Sequence, residues 1–249
     1  MPKAIIHARR RYLSPWVSDS RVICLAKIRH EDGLPQACVN AYNSRNMHVL
    51  GVTGTIGSGK STVCRLLSEM GCPVVDADAE AHLSYRRGTR TYANVVAAFG
   101  DHILDPGGSI DRTSLGRIVF ADPDSRARLN SIVHPATHRR IKRLMSHLRA
   151  AGHTWAALEA TLLIESGWQD TIDKLWVVAA PDDVVVARLW RDRELNESQV
   201  RSRMAAQMPS LLMMEHADDI IYNDGDMDAL RSRVERLWHD LIRADAGAE

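Results

Sequence analysis

No stretch of this chain is apolar for long enough to cross a bilayer. Lys3, Arg9, Arg10 and Arg11 make the N-terminus basic, but no apolar core of signal-peptide length follows them. The four cysteines, Cys24, Cys38, Cys64 and Cys72, form no C-x-x-C pair and fit no zinc spacing. They read as reduced thiols, and the expected location is cytoplasmic. Charge of one sign is also lacking: 32 basic and 31 acidic side chains leave a formal net charge of +1. That balance points away from a protein that coats nucleic acid or lies on a membrane surface. Repeats and low-complexity tracts are absent. What is present is an ordinary globular composition, 45% apolar and 25% charged over 249 residues. The size suits one α/β domain with inserts.

The first 46 residues carry scattered Pro, Ser, Asn and Arg without a clear period. They read as a loosely ordered extension, with Met47 a candidate for the true start. A transit peptide is the weaker alternative, because Asp19, Glu31 and Asp32 sit within it. From Met47 the pattern is sharp. His48 to Thr53 is a short apolar run, the mark of a buried strand. Val63, Leu66, Leu67 and Met70 then recur at helical spacing, and Gly71 is the expected stop. Pro73-Val74-Val75 leads into Asp76-Ala77-Asp78, a second strand ending in carboxylates. Residues 79–150 are mostly helical in pattern and read as an insert between core strands. Trp155 to Ile164 and Leu175 to Ala180 read as buried strands, and Asp219 to Asn223 as the last one. Pro181 opens a helix. Asn196 with Gln199 resembles a capping box for the next, which Pro209 is expected to end. Leu230, Val234, Leu237 and Leu241 stripe a C-terminal helix. Alternating strands and helices imply an α/β fold, a parallel five-stranded sheet with helices on both faces.

The segment Gly54-Thr55-Ile56-Gly57-Ser58-Gly59-Lys60-Ser61 matches G-x-x-x-x-G-K-[ST] between a strand and a helix, the context that gives this motif its meaning. Its glycines let successive N–H groups curl inward toward phosphate oxygens. The helix that follows aims its positive end at the same place. Lys60 can reach the outer phosphates of ATP, the Ser61 hydroxyl can ligate Mg²⁺, and Thr62 can touch the inner phosphate. A glycine turn with an incidental lysine would lack this context.

A phosphate cradle does not name the nucleophile. Asp76 and Asp78 end the next strand in sequence, and ligands of such sheets bind beyond those strand ends. Two residues apart on an extended segment, they share a face. One could deprotonate an acceptor hydroxyl while the other holds Mg²⁺; a solvated pair capping the next helix is the plainer alternative. Glu159 and Glu165 bracket the Leu158–Ile164 run. Either could anchor Mg²⁺, and buried carboxylates need a partner. The basic run Arg139, Arg140, Lys142 and Arg143 fits a phosphate-binding patch or a solvated helix face. His82 and His134 fit substrate contacts or structural histidines.

With these residues placed, residues 47 to about 238 resemble the dephospho-coenzyme A kinase family. The likeness rests on the loop Thr53 to Thr62, on Val75-Asp76-Ala77-Asp78 with Ala81-His82, and on Gly108-Ser109-Ile110-Asp111-Arg112 with Leu115-Gly116. Further matches are Ile132-Val133-His134-Pro135, Leu162-Leu163 with Glu165-Ser166-Gly167, Arg203 with Gln207, and Ala217-Asp218 with Asn223 and Gly225.

The resemblance implies a P-loop NTPase-like domain over 47–249. Its core is 47–78, 154–181 and 217–245, its helical substrate-binding insert 79–150, and its lid 182–209. The implied reaction is ATP-dependent phosphorylation of the 3′-hydroxyl of dephospho-coenzyme A, with Asp78 as base and Asp76 beside it. Ser61, Asp76 and Glu159 would hold Mg²⁺, and His82, Asp111, Arg112, His134 and Arg139 the acceptor. No nucleic acid or membrane partner is implied, and a monomer is expected. Three positions depart from the family pattern. Thr161 precedes Leu162 where the family has Pro, Glu159 stands where Asp is usual, and Asp192 stands where a lid arginine is usual. Arg188, Arg191 and Arg193 are left as the lid cations. Another small-molecule P-loop kinase is the alternative. A nucleotide-binding regulatory protein with an impaired lid is a third reading, which the intact set of Lys60, Ser61, Asp76 and Asp78 argues against.

Overall fold

Five strands form one sheet in the order β2-β3-β1-β4-β5, every neighbouring pair parallel. The computed structural model describes residues 47–193 and 196–246, and of Gln169, Asp192 and Arg193 the backbone alone. The proposed N-terminal extension lies outside the described residues. The strands are β1 (His48–Thr53), β2 (Val74–Asp76), β3 (Trp155–Glu159), β4 (Lys174–Ala179) and β5 (Asp219–Tyr222). β1, β3 and β4 are almost wholly buried, so they read as apolar runs rather than as an alternation.

Helices cover both faces. α1 (Lys60–Glu69) follows β1; α2 (Ala77–Ser84), α3 (Arg90–Phe99), α4 (Arg112–Ala121) and α5 (Pro123–Ala150) lie between β2 and β3. α6 (Asp182–Arg193), α7 (Glu197–Ala205) and α8 (Ser210–Glu215) lie between β4 and β5, and α9 (Met227–Ala246) closes the chain. Successive β1 side chains point to opposite faces. Leu50 and Val52 pack with Leu66 and Leu67 of α1 and with Val234 and Trp238 of α9. Val49 packs with Ile141 of α5, Leu163 and Met213 of α8. Burying apolar area against both faces is what holds a parallel sheet.

Two smaller cores stand apart from the sheet. Val95, Phe99, Ile103, Leu115, Val119 and Val133 pack the α3–α5 region together. Val185, Leu189 and Val200 pack α6 against α7, with Ile56 of the glycine loop against them. Several helix starts have a local reason. Asp76, Asp111 and Asp122 accept N–H bonds at the starts of α2, α4 and α5. Asn196 and Gln199 form a reciprocal capping box on α7.

Three boundaries differ from the sequence expectation. β3 ends at Glu159 rather than at Ile164. The chain then turns, and Leu163 and Ile164 are buried because the turn folds back under the sheet. An apolar run alone cannot separate strand from buried turn. β2 ends at Asp76, so Asp78 is a helical residue of α2 and the extended-strand argument for a shared face does not apply. α7 ends at Ala205, and Pro209 instead begins α8.

Candidate active site

The loop after β1 curls at glycines that no other residue could replace in place. Gly54 has φ +149°, and a Cβ there would sit 2.2 Å from the Val178 carbonyl oxygen. Gly59 has φ +105°, and a Cβ there would sit 2.1 Å from Asn223 Nδ2. Lys60 is buried, and its ammonium donates to the carbonyls of Gly54 at 2.8 Å and Thr55 at 3.0 Å. No side chain caps α1, and no acidic residue sits in its first turn. Its leading N–H groups thus face an open cleft, the arrangement that binds anions.

Side chains distant in sequence brace this loop. Asn223 donates from Nδ2 to the Ser58 carbonyl at 2.7 Å. Gln207 accepts the Ile56 N–H at 2.9 Å. Arg188 of α6 donates from Nη2 to the Asn223 carbonyl and to its Oδ1, both at 3.2 Å. Its Nη1 and the Ser58 hydroxyl are buried without a hydrogen-bond partner. A buried donor without an acceptor costs about 1–3 kcal/mol, more when charged. An anion in the cleft beside Arg188 would supply the acceptor.

Across a cleft of about 610 Å³ lie the acidic groups. Asp76 and Glu159 are register partners at the ends of β2 and β3. Ser61 donates its hydroxyl to Glu159 Oε1 at 2.7 Å. Burial pushes the Glu159 carboxyl above its ordinary range, the neighbouring Asp76 adds to this, and the Ser61 and Cys64 hydrogen bonds oppose it. Asp76 Oδ1 accepts the Ala79 N–H at 2.9 Å while its carboxylate stays exposed to the cleft. Asp78, one residue into α2, accepts the Thr161 hydroxyl at 2.9 Å. The expected shared cleft is present, but a helix start rather than an extended strand brings the two aspartates to it.

Of the remaining candidates, Arg188 and Arg191 line this cleft, and the Arg193 side chain lies outside the described residues. Burial lowers the pKa of His82, Arg112 lowers it further, and Asp78 and Asp76 oppose them. Neither His82 nor Arg112 lines the cleft. His134 lines a smaller cavity that Asp78 also lines. Asp111 is occupied as the cap of α4, bonded to Thr113 and Ser114. Arg139 is exposed on α5 and lines neither cavity, and Arg140 is bound to Glu80 at 2.8 Å. Glu165 accepts the Met208 N–H at 3.2 Å, away from the cleft. Cys64 and Cys72 are buried free thiols, and burial pushes Cys72 up to about 12. Cys24 and Cys38 lie outside the described residues.

Sequence reasoning assigned no site role to Thr161, Gln207 or Asn223. The available signal was position. Asn223 directly follows the last strand, where ligands of such sheets bind. Gln207 and Thr161 follow a helix and a strand in the same way, but only their long-range hydrogen bonds give them a role. Among the described residues no group of three His, Cys, Asp or Glu side chains is arranged to hold a metal ion. The oxygen set of Ser61, Asp76 and Glu159 suits a hard cation that takes its other ligands from phosphate and water.

A parallel sheet, a glycine loop on an open helix N-terminus, a buried lysine and facing carboxylates define a P-loop phosphotransferase. Comparison with known proteins agrees. The dephospho-CoA kinase (CoaE) family model matches residues 48–229. The chain is 42% identical over 201 residues to the dephospho-CoA kinase of Symbiobacterium thermophilum, across 81% of this chain and 84% of that one. It is 41% identical over 192 residues to the dephospho-CoA kinase of Geobacter sulfurreducens, across 77% of this chain and 98% of that one. The crystal structure of TT1252 from Thermus thermophilus superposes with a TM-score of 0.69 at 31% identity, over 79% of this chain and 99% of that one. The dephospho-CoA kinase from Campylobacter jejuni shares the fold, with a TM-score of 0.60 at 23% identity, over 79% of this chain and 98% of that one. The chain belongs to the dephospho-CoA kinase family and is an ATP-dependent kinase. No helix among the described residues is long and apolar enough to cross a membrane.

Proposed function

We propose that this chain transfers the γ-phosphoryl group of ATP to the 3′-hydroxyl of dephospho-coenzyme A, giving coenzyme A and ADP. The observation that carries the donor half is Arg188 Nη1, a buried donor without a partner on a residue that lines the cleft, beside a lysine and an open helix N-terminus. A triphosphate tail in the cleft supplies the acceptor that Arg188 lacks and meets the lysine and the helix N–H groups. Lys60 and Arg188 then offset the charge on the transferred group. Asp78 takes the proton as the acceptor oxygen attacks phosphorus and the bond to the ADP oxygen breaks. Thr161 holds the Asp78 carboxylate by the hydrogen bond it donates. Ser61, Asp76 and Glu159 would hold a magnesium ion, which when bound draws charge from the phosphates.

In this reading residues 79–150 carry the acceptor, and residues 182–209 form a lid whose Arg188 and Arg191 reach the cleft. The test is to incubate the protein with MgATP and dephospho-coenzyme A and to follow coenzyme A by mass spectrometry. Product formation that is lost in Lys60→Ala is expected. No turnover above the Lys60→Ala control overturns the assignment.

A further inference from the structure

The cleft does not end at Asp78. A second cavity of about 80 Å³ opens on its other side, between α2, α5 and the turn after β3, and Asp78 lines both. By volume this cavity would take two or three waters at ~30 Å³ each. Ala77, Ala81 and Ala160 leave the space open. One wall is a ring stack: His138 lies on Trp168 with centroids 3.6 Å apart and planes 11° from parallel. Trp168 is buried, and His138 donates to the Ser166 carbonyl, so the stack is held from behind.

The charge of this cavity decides which group it can take. No lysine or arginine lines it, and its one acidic group is the Asp78 carboxylate. His134 and His138 are both shifted toward the neutral form, chiefly by burial. The attacked ribose hydroxyl has two arms around it: an uncharged purine and a diphosphate chain. A diphosphate set next to a carboxylate, with no cation in the cavity lining and only Lys142 acting on His138 from outside it, is repelled. A neutral ring finds apolar walls, a ring stack and the polar edges of His134 and Ser166.

We propose that this second cavity seats the edge of the purine base of the acceptor nucleotide, with His138 and Trp168 as its wall. The inference rests on the acceptor reading above. It leaves the diphosphate arm on the side of α2 where Arg112 approaches His82.

The test compares two acceptors that differ only in the base, one carrying adenine and one a pyrimidine, at saturating MgATP. The unaltered protein is expected to favour the adenine acceptor by on the order of tenfold in kcat/KM, mostly through KM. Ala81→Leu, which fills the cavity, and His138→Ala, which removes half of the stack, should each bring the preference to within about twofold. The KM for ATP should stay unchanged in both. If Ala81→Leu does not fold, His138→Ala at its half-exposed position carries the test. Equal use of both acceptors by the unaltered protein, or a preference kept in His138→Ala, overturns the subsite while leaving the kinase reading standing. Transfer to neither acceptor by the unaltered protein overturns both, and the missing product separates that outcome from the first.

Discussion

On the Lys60 side the cleft is made mostly of main chain; on the Asp78 side it is made of side chains. The phosphate loop presents N–H groups and carbonyls, and its geometry is locked by glycines whose Cβ positions other atoms already occupy. Asn223, Gln207 and Arg188 brace it from three separate parts of the chain. The other side presents Asp76, Asp78 and Glu159, set by the ends of two strands and the start of one helix. The difference follows from what each side must recognise. Phosphate looks the same on every donor, so backbone groups at fixed positions suffice. An acceptor is one molecule among many, so its recognition needs distinct side chains.

That contrast can be tested by breaking each side in turn. Asp78→Asn keeps the shape and the bond to Thr161 but removes the base. The expected loss in kcat is about 10²–10⁴-fold with the KM for ATP unchanged, read from steady-state kinetics. Lys60→Ala removes the cation that the loop holds between two carbonyls. A loss on the order of 10²–10³-fold in kcat is expected, here with weakened ATP binding by calorimetry. If Asp78→Asn instead weakens ATP binding, the two sides are not separable. Asn196→Ala removes the capping box of α7 and should cost about 1 kcal/mol of stability, measured by chemical denaturation.

The subtlest test uses pH. The Glu159 carboxyl is held above its ordinary range in the fold, so the folded state favours its protonated form. That contribution is fully present below the ordinary Glu value and is lost as pH rises through the raised one. Glu159→Gln keeps an acceptor for Ser61 without the buried charge. It should therefore melt higher than the unaltered protein at neutral pH in chelator, and the gain should fade as the pH drops toward the ordinary Glu value. An unchanged difference between acid and neutral melts would show that the burial of Glu159 is not felt.

Much of this was legible in the chain. The run His48–Thr53, the glycine loop and the stripe of α1 each depend on neighbours within a few residues, and local pattern records local physics. The Asn196–Gln199 box was readable for the same reason. What failed was local only in outline. Leu163 and Ile164 are as apolar as a strand because they are as buried as one, yet they lie in a turn. Asp78 lost its place on a strand because the Asp76 side chain caps the Ala79 N–H and the helix starts at Ala77, two residues earlier than expected. Arg139 sits in a basic run, but a helix disperses neighbouring charges around its axis, and Arg140 rather than Arg139 found a carboxylate.

By itself the sequence determined the order of strands and helices, the phosphate loop and the class of chemistry, because those are written in spacings of a few residues. Only the tertiary structure decided that Asn223 and Gln207 clasp that loop, that Arg188 lies beside it with a donor to spare, and that Asp78 stands between two cavities. Those facts join residues as far apart as 165 positions, as in the bond between Asn223 and Ser58. Contacts of that span arise from how the sheet and its helices close on one another, which no local pattern encodes.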